Sequence, residues 1–212
     1  MPVLDSLLIV VLLLNLFVLG TSRIYAVIRA VSVQGALLGF MPLLVHEKIG
    51  IQTALLSAAT VLLKGIVIPR MLMHAMREAR IKREVEPFIG LLTSMVLGAV
   101  AAGVSVLAAR ELPLAAGHAA SLVVPSALAT SFTGFILLVT RLKAISQVTG
   151  FLLLENGIFI FALLLLEAMP FIVEIGVLLD LFVGIFLIGI IVEHMNREFS
   201  SLDTRHLTTL KE

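Results

Sequence analysis

The chain has no cysteine and no tryptophan, only one tyrosine, and charged side chains make up just 14% of its 212 residues. Without cysteine it has no disulfide, no thiolate zinc site and no cysteine-held iron–sulfur cluster, so it is not expected to carry electrons itself. No phosphate loop, nucleophile elbow or metalloprotease motif occurs. His46, His74, His118, His194 and His206 fall at span boundaries or in the tail, without the spacing of a helical metal site. No cofactor and no metal are therefore expected, and a formal net charge of +1 gives no reason to expect nucleic acid as a partner. The chain is dominated by apolar residues: 60% are hydrophobic and the mean hydropathy is +1.15, outside the range of soluble globular domains.

The apolar residues come in runs long enough to cross about 30 Å of hydrocarbon, which takes roughly 20 helical residues. They do not alternate with period two, so a closed barrel does not fit. The expected fold class is an all-α integral membrane protein with about seven transmembrane helices, near residues 4–21, 26–45, 51–69, 88–109, 117–140, 145–166 and 171–193. The apolar run Leu7 to Leu19 has Asp5 in place of a basic start and is followed by Arg23 in place of a cleavage site, so it reads as a retained first helix.

Basic residues set the expected orientation, because Lys and Arg in short loops stay on the cytoplasmic side. Twelve of the 15 follow or begin spans at one side, among them Arg23, Arg29, Arg70, Arg141 and Lys143, whereas Lys48 and Arg110 lie at the other. The N-terminus is thus expected outside and the C-terminus in the cytoplasm, in a multi-pass protein of the inner membrane. Met71 to Pro87 is charged and rich in helix formers, and it is expected to extend the third helix into the cytoplasm. Its charges read either as a solvated topological anchor or as a docking surface for a cytoplasmic partner.

Several polar residues stand inside the spans. Glu155 lies about ten residues from either end of the sixth, and Asp180 about nine residues into the seventh, both near the midplane. A charged residue there costs about 3 kcal/mol by insertion scales, so it usually faces protein or water and usually has a function. Two carboxyls at matching depth read as steps of a proton relay or as neutral groups bonding neighbouring helices. Lys64 in the third span either snorkels to the cytoplasmic headgroups or faces protein, where it could pair with an acid or pass protons. A retinal Schiff base on Lys64 is disfavoured by the shortage of aromatics and by its place in the third span. Asn156 could orient Glu155 or hold a water, or bond another helix. Gly176, Asp180 and Gly184 recur every four residues, as do Gly90, Ser94, Gly98 and Ala102, and such smooth stripes read as packing surfaces.

A faint repeat also runs through the chain. Ser22-Arg23-Ile24 echoes Thr140-Arg141-Leu142, and the segment Val61 to Ile66 echoes Asp180 to Ile185. One reading is two three-helix units joined by one extra helix: 1–87 with a basic extension, a linking helix over 88–110, and 111–212 with a short tail. The other is coincidence between apolar sequences.

The last three spans resemble the small membrane subunit of respiratory complex I called chain 4L or subunit K. The features shared are the short basic loop Arg141-Leu142-Lys143, the buried Glu155 in the second of the three, and Asp180 four residues before Gly184 in the third. Over its length the chain is more similar to component E of hydrogenase-4. That resemblance rests on Gly150-Phe151 with Glu155-Asn156-Gly157, Val173-Glu174-Ile175-Gly176 with Asp180, Lys64, and the tail segment Leu207 to Lys211. Unlike the chain 4L pattern, the third helix carries Asp in place of Glu, and Asn156 follows the acid directly. The resemblance implies a lateral proton path between antiporter-like subunits and a hydrogenase or quinone module. Glu155, Asp180 and Lys64 would be its relay groups, Asn156, Gly176 and Gly184 would support them, and the other membrane subunits of the assembly would be partners. A purely structural subunit and a self-sufficient ion transporter remain the other readings.

Overall fold

A computed structural model describes residues 2–45, 50–78, 88–112 and 122–165, together with Gly176, Phe182, Val183, Gly184, Phe186 and Gly189. Among these residues all regular structure is helical: α1 (Pro2–Gly20), α2 (Ile24–Val45), α3 (Ile51–Thr60), α4 (Ile68–Glu78), α5 (Leu91–Glu111), α6 (Val123–Thr140) and α7 (Ala144–Ala162). A π-helical segment, Val61–Val67, joins α3 to α4, and a short 3-10 turn, Leu163–Leu165, follows α7. Helices suit lipid because every backbone polar group is bonded within its own segment. Six of these rods are long and apolar enough to cross a membrane, the third being Thr53–His74 through the π segment. The seventh expected span, 171–193, lies largely outside the described residues, although the six described positions within it are helical. The third rod runs on to Glu78, in line with the expected extension, whose remainder lies outside the described residues.

The π segment has a local cause. Pro69 has no N–H to donate to the carbonyl four residues back, at Gly65, and its ring crowds that position. A widened turn accommodates the ring, and the Gly65 carbonyl accepts a hydrogen bond from the Ser32 hydroxyl of α2 at 2.5 Å. Glycines then let α2 and the π segment approach closely. A methyl at Gly35 would lie 2.8 Å from Lys64 Cβ, and one at Gly39 would lie 2.8 Å from the Val61 nitrogen. The Gly39 carbonyl in turn accepts from Ser57 Oγ at 2.6 Å.

Helix α2 is central, touching α1, the π segment and α7, while α6 and α7 pair along their lengths and α5 lies against α1 and α6. Only 17% of the α5 span is buried, against 67% of the α7 span, so α5 is the peripheral helix. Of its expected stripe, Ser94 and Gly98 do pack inward, Gly98 against Leu19 of α1, whereas Gly90 is the exposed cap before the helix. Arg141 is only 1% exposed, and its guanidinium donates to the Leu19 carbonyl at 3.2 Å. That carbonyl belongs to the last turn of α1, where acceptors lack helical donors and a cation is favoured. At the other end of α1, the Asp5 carboxylate accepts from the Leu122 N–H at 3.3 Å.

Candidate functional site: a polar layer between two apolar clusters

Two apolar clusters fill the bundle, one toward each end. The first includes Val18 and Leu19, Val31, Ile68, Leu137 and Leu153, the second Leu8 and Val11, Leu38, Ala127 and Ile160. Every principal rod except α5 crosses from one cluster to the other, and each carries polar side chains at the crossing. On α1 it is Asn15, between Val11 and Val18. Gln34 holds the place on α2 between Val31 and Leu38, and Lys64 precedes Ile68 on the third rod. Thr130 and Thr133 lie between Ala127 and Leu137 on α6, and Glu155 and Asn156 lie between Leu153 and Ile160 on α7. All seven are buried. All seven belong to spans that are otherwise largely apolar, so the bundle keeps a polar layer where its two apolar halves meet.

Within that layer Gln34 Nε2 donates to Asn15 Oδ1 at 3.2 Å, and Asn15 Nδ2 donates to Thr130 Oγ1 at 2.8 Å. This chain of uncharged groups links α2, α1 and α6. Next to Gln34, Gly35 packs on Lys64, and Lys64 turns inward: it is 7% exposed, and its Nζ lies 5.5 Å from the centre of the Phe159 ring. That is cation–π range, and of the two placements expected for Lys64 it is the one facing protein. Phe159 follows Glu155 by four residues and shares its face of α7. The opposite face, with Gly150 and Gly157, packs on α6, so Glu155 points away from α6 and toward the side that holds Lys64. Glu155 itself is 4% exposed.

The structure thus brings Lys64 to the Glu155 side of α7 and places Asn156 on the adjoining face, between Leu153 and Ile160. Gly184 is helical and buried, and a methyl there would lie 3.1 Å from Ile68 Cδ1, so it faces α4 near the end of the π segment. Gly176 is helical, with open space where a side chain would project. Asp180 lies outside the described residues. Among the described residues no group of three or more His, Cys, Asp or Glu side chains could hold a metal ion. Asn15, Gln34 and Thr130 were not foreseen from sequence, where they are uncharged polar residues in largely apolar spans. The only prior signal was their placement near the middle of their spans.

Architecture and site together define a multi-pass helical membrane protein that keeps acidic, basic and amide side chains in the middle of its bundle. The chain belongs to the same family as the uncharacterized protein Rv0085 of Mycobacterium tuberculosis, with 30% identity over 205 residues covering 94% of this chain and 92% of that one. It is also similar to hydrogenase-4 component E of Escherichia coli and of Shigella flexneri, at 27% identity over 165 residues, 76% of this chain and 74% of those proteins. No protein-family profile matches the chain, and no solved structure matches it.

Proposed function

We propose that the chain is a membrane subunit of a hydrogenase or complex I-like assembly, and that its buried ionisable groups form part of a lateral proton path. The observation that carries this reading is the pair of buried ionisable side chains, Glu155 and Lys64, brought to one side of α7 within the polar layer. Intramembrane carboxyls and ammoniums are expensive, and they commonly mark proton or ion routes. The similarity to hydrogenase-4 component E supports the choice of assembly. Glu155 and Asp180 are the proton-exchanging carboxyls, Lys64 biases the charge of the first, and antiporter-like subunits flank the chain. A path of this kind needs entry and exit routes built by neighbours. The chain reconstituted alone in liposomes under a pH gradient is therefore expected to move no protons, and saturable flux from it would favour a self-sufficient transporter over the subunit.

The same reading places the protein in the inner membrane with its C-terminus in the cytoplasm. Support comes from the charge asymmetry of the bundle: Arg23, Arg29, Arg70, Arg77, Arg141 and Lys143 gather at the end where α1 and α6 finish, and Arg110 stands at the other. A reporter active only in the cytoplasm is expected to work when fused after Glu212. Silence there, with activity ahead of Met1, reverses the orientation.

A further inference from the structure

Two complementary polar atoms in the layer lack partners among the described residues: the acceptor Gln34 Oε1 and the donor Asn156 Nδ2. Their side chains are 0% and 2% exposed, so neither atom is served by bulk water or lipid headgroups. Both belong to the same crossing. Gln34 stands between Val31, of the apolar cluster that includes Leu152 and Leu153, and Leu38, of the cluster that includes Phe159 and Ile160. Asn156 stands between Leu153 and Ile160 on the α7 face that meets those residues. The two orphans therefore stand at the same level of two helices that pack together.

A buried acceptor and a buried donor that do not bond each other directly call for a molecule that can serve both, and water is the smallest that does. We propose that Gln34 and Asn156 hold a buried water, and that this water joins the Asn15–Thr130 chain to Glu155. The water donates one hydrogen to Gln34 Oε1 and accepts from Asn156 Nδ2. Its second hydrogen is free for the carboxyl of Glu155, the neighbour of Asn156. Beyond Gln34, the bonds to Asn15 and Thr130 continue across α1 to α6. Amides do not titrate in the physiological range, so these groups hold and orient water and do not store a proton. The purpose assigned to the water rests on the proton-path reading; its presence does not.

Infrared difference spectroscopy of the full chain in lipid, with ordinary water exchanged for heavy-oxygen water, reads the site directly. The unmodified chain is expected to show an O–H stretching band of an isolated water that shifts on exchange. Asn156→Leu, which keeps the branched shape of the side chain, removes its polar atoms and leaves the Asn15 bonds untouched, is expected to lose that band, as is Gln34→Leu. In the intact assembly Asn156→Leu is also expected to lower coupled proton movement several-fold. A spectrum without the band, or a band that both variants keep, overturns the water site, and does so even where Glu155→Gln has stopped proton movement. A band lost with proton movement undiminished overturns the connection to Glu155. Conversely, a Glu155→Gln assembly that still moves protons removes the relay role while leaving a band that depends on Gln34 and Asn156 as support for the site.

Discussion

Glu155→Gln is expected to leave the assembly intact at normal levels and to remove most of its coupled proton movement. The substitution keeps length, volume and hydrogen-bonding capacity, and takes away only the titratable proton. A carboxyl that merely ties helices together tolerates that change, because an amide can bond the same neighbours. A relay group does not, since each transfer requires it to accept and release a proton. The surroundings sharpen the contrast: Glu155 is almost wholly buried, on the same face as Phe159, over which the Lys64 ammonium lies. No bulk water reaches that position to take over the missing proton carrier. Glu155→Asp, which keeps the acid at shorter reach, is expected to retain part of the activity. Proton movement driven by the assembly, measured in inverted membrane vesicles with assembly checked by co-purification of the other subunits, decides the matter. Full activity in a normally assembled Glu155→Gln protein removes the relay role, and loss of assembly instead favours a structural carboxyl.

How much of this was legible in the sequence follows from what one dimension can encode. Spans are written as runs of apolar residues, and a lone acid such as Glu155 in Leu152-Leu153-Leu154-Glu155 stands out because its burial is costly. The direction of Lys64 was not written there. Snorkelling and inward placement differ by a rotation about the helix axis, and the widened turn that accommodates Pro69 helps set that rotation. Asn15, Gln34 and Thr130 were missed for a related reason. Each is a modest polar residue in a largely apolar span, and they become a network only through contacts across 19 and 115 positions of sequence. The burial of Arg141 was hidden as well, because a basic residue in a short loop serves equally as a topological signal. Small-residue spacing pointed to stripes on α5 and the last span. The closest backbone approaches instead involve Gly35 and Gly39 on α2, and Gly134, Gly150 and Gly157 between α6 and α7. Which stripe meets a partner depends on how the helices are arranged, and spacing alone does not carry that.

Gly134→Leu is expected to prevent stable folding of the protein, while Gly103→Ala leaves it unchanged or slightly more stable. Helices α6 and α7 are joined by only three residues, 141–143, and pack backbone to backbone. A Cβ at Gly134 would lie 2.5 Å from the Leu154 nitrogen and 2.7 Å from the Gly150 carbonyl oxygen. One at Gly150 would meet the Leu138 nitrogen at 3.0 Å, and one at Gly157 the Ser131 nitrogen at 2.5 Å, so the same contact is repeated along the pair. These are main-chain atoms of rigid helices and cannot rotate aside as a side-chain tip can. The only relief is to separate the helices, which opens the packing that holds Glu155 and Asn156 in place. Forcing extra atoms into a well-packed interior typically costs about 1–3 kcal/mol, and a backbone clash belongs at or beyond the upper end. In lipid the loss is not offset elsewhere, because close van der Waals contact across small residues is a main source of helix association. Gly103 is the internal control. It lies on exposed α5 with nothing within 4 Å of its would-be Cβ, and alanine is the better helix former. Thermal unfolding of the purified variants in detergent, followed by loss of monodisperse protein, is expected to show Gly134→Leu aggregated or melting far below the parent, with Gly103→Ala at or above it. A Gly134→Leu protein as stable as the parent rules out backbone contact between α6 and α7, and with it the placement of Glu155 on the face turned from α6.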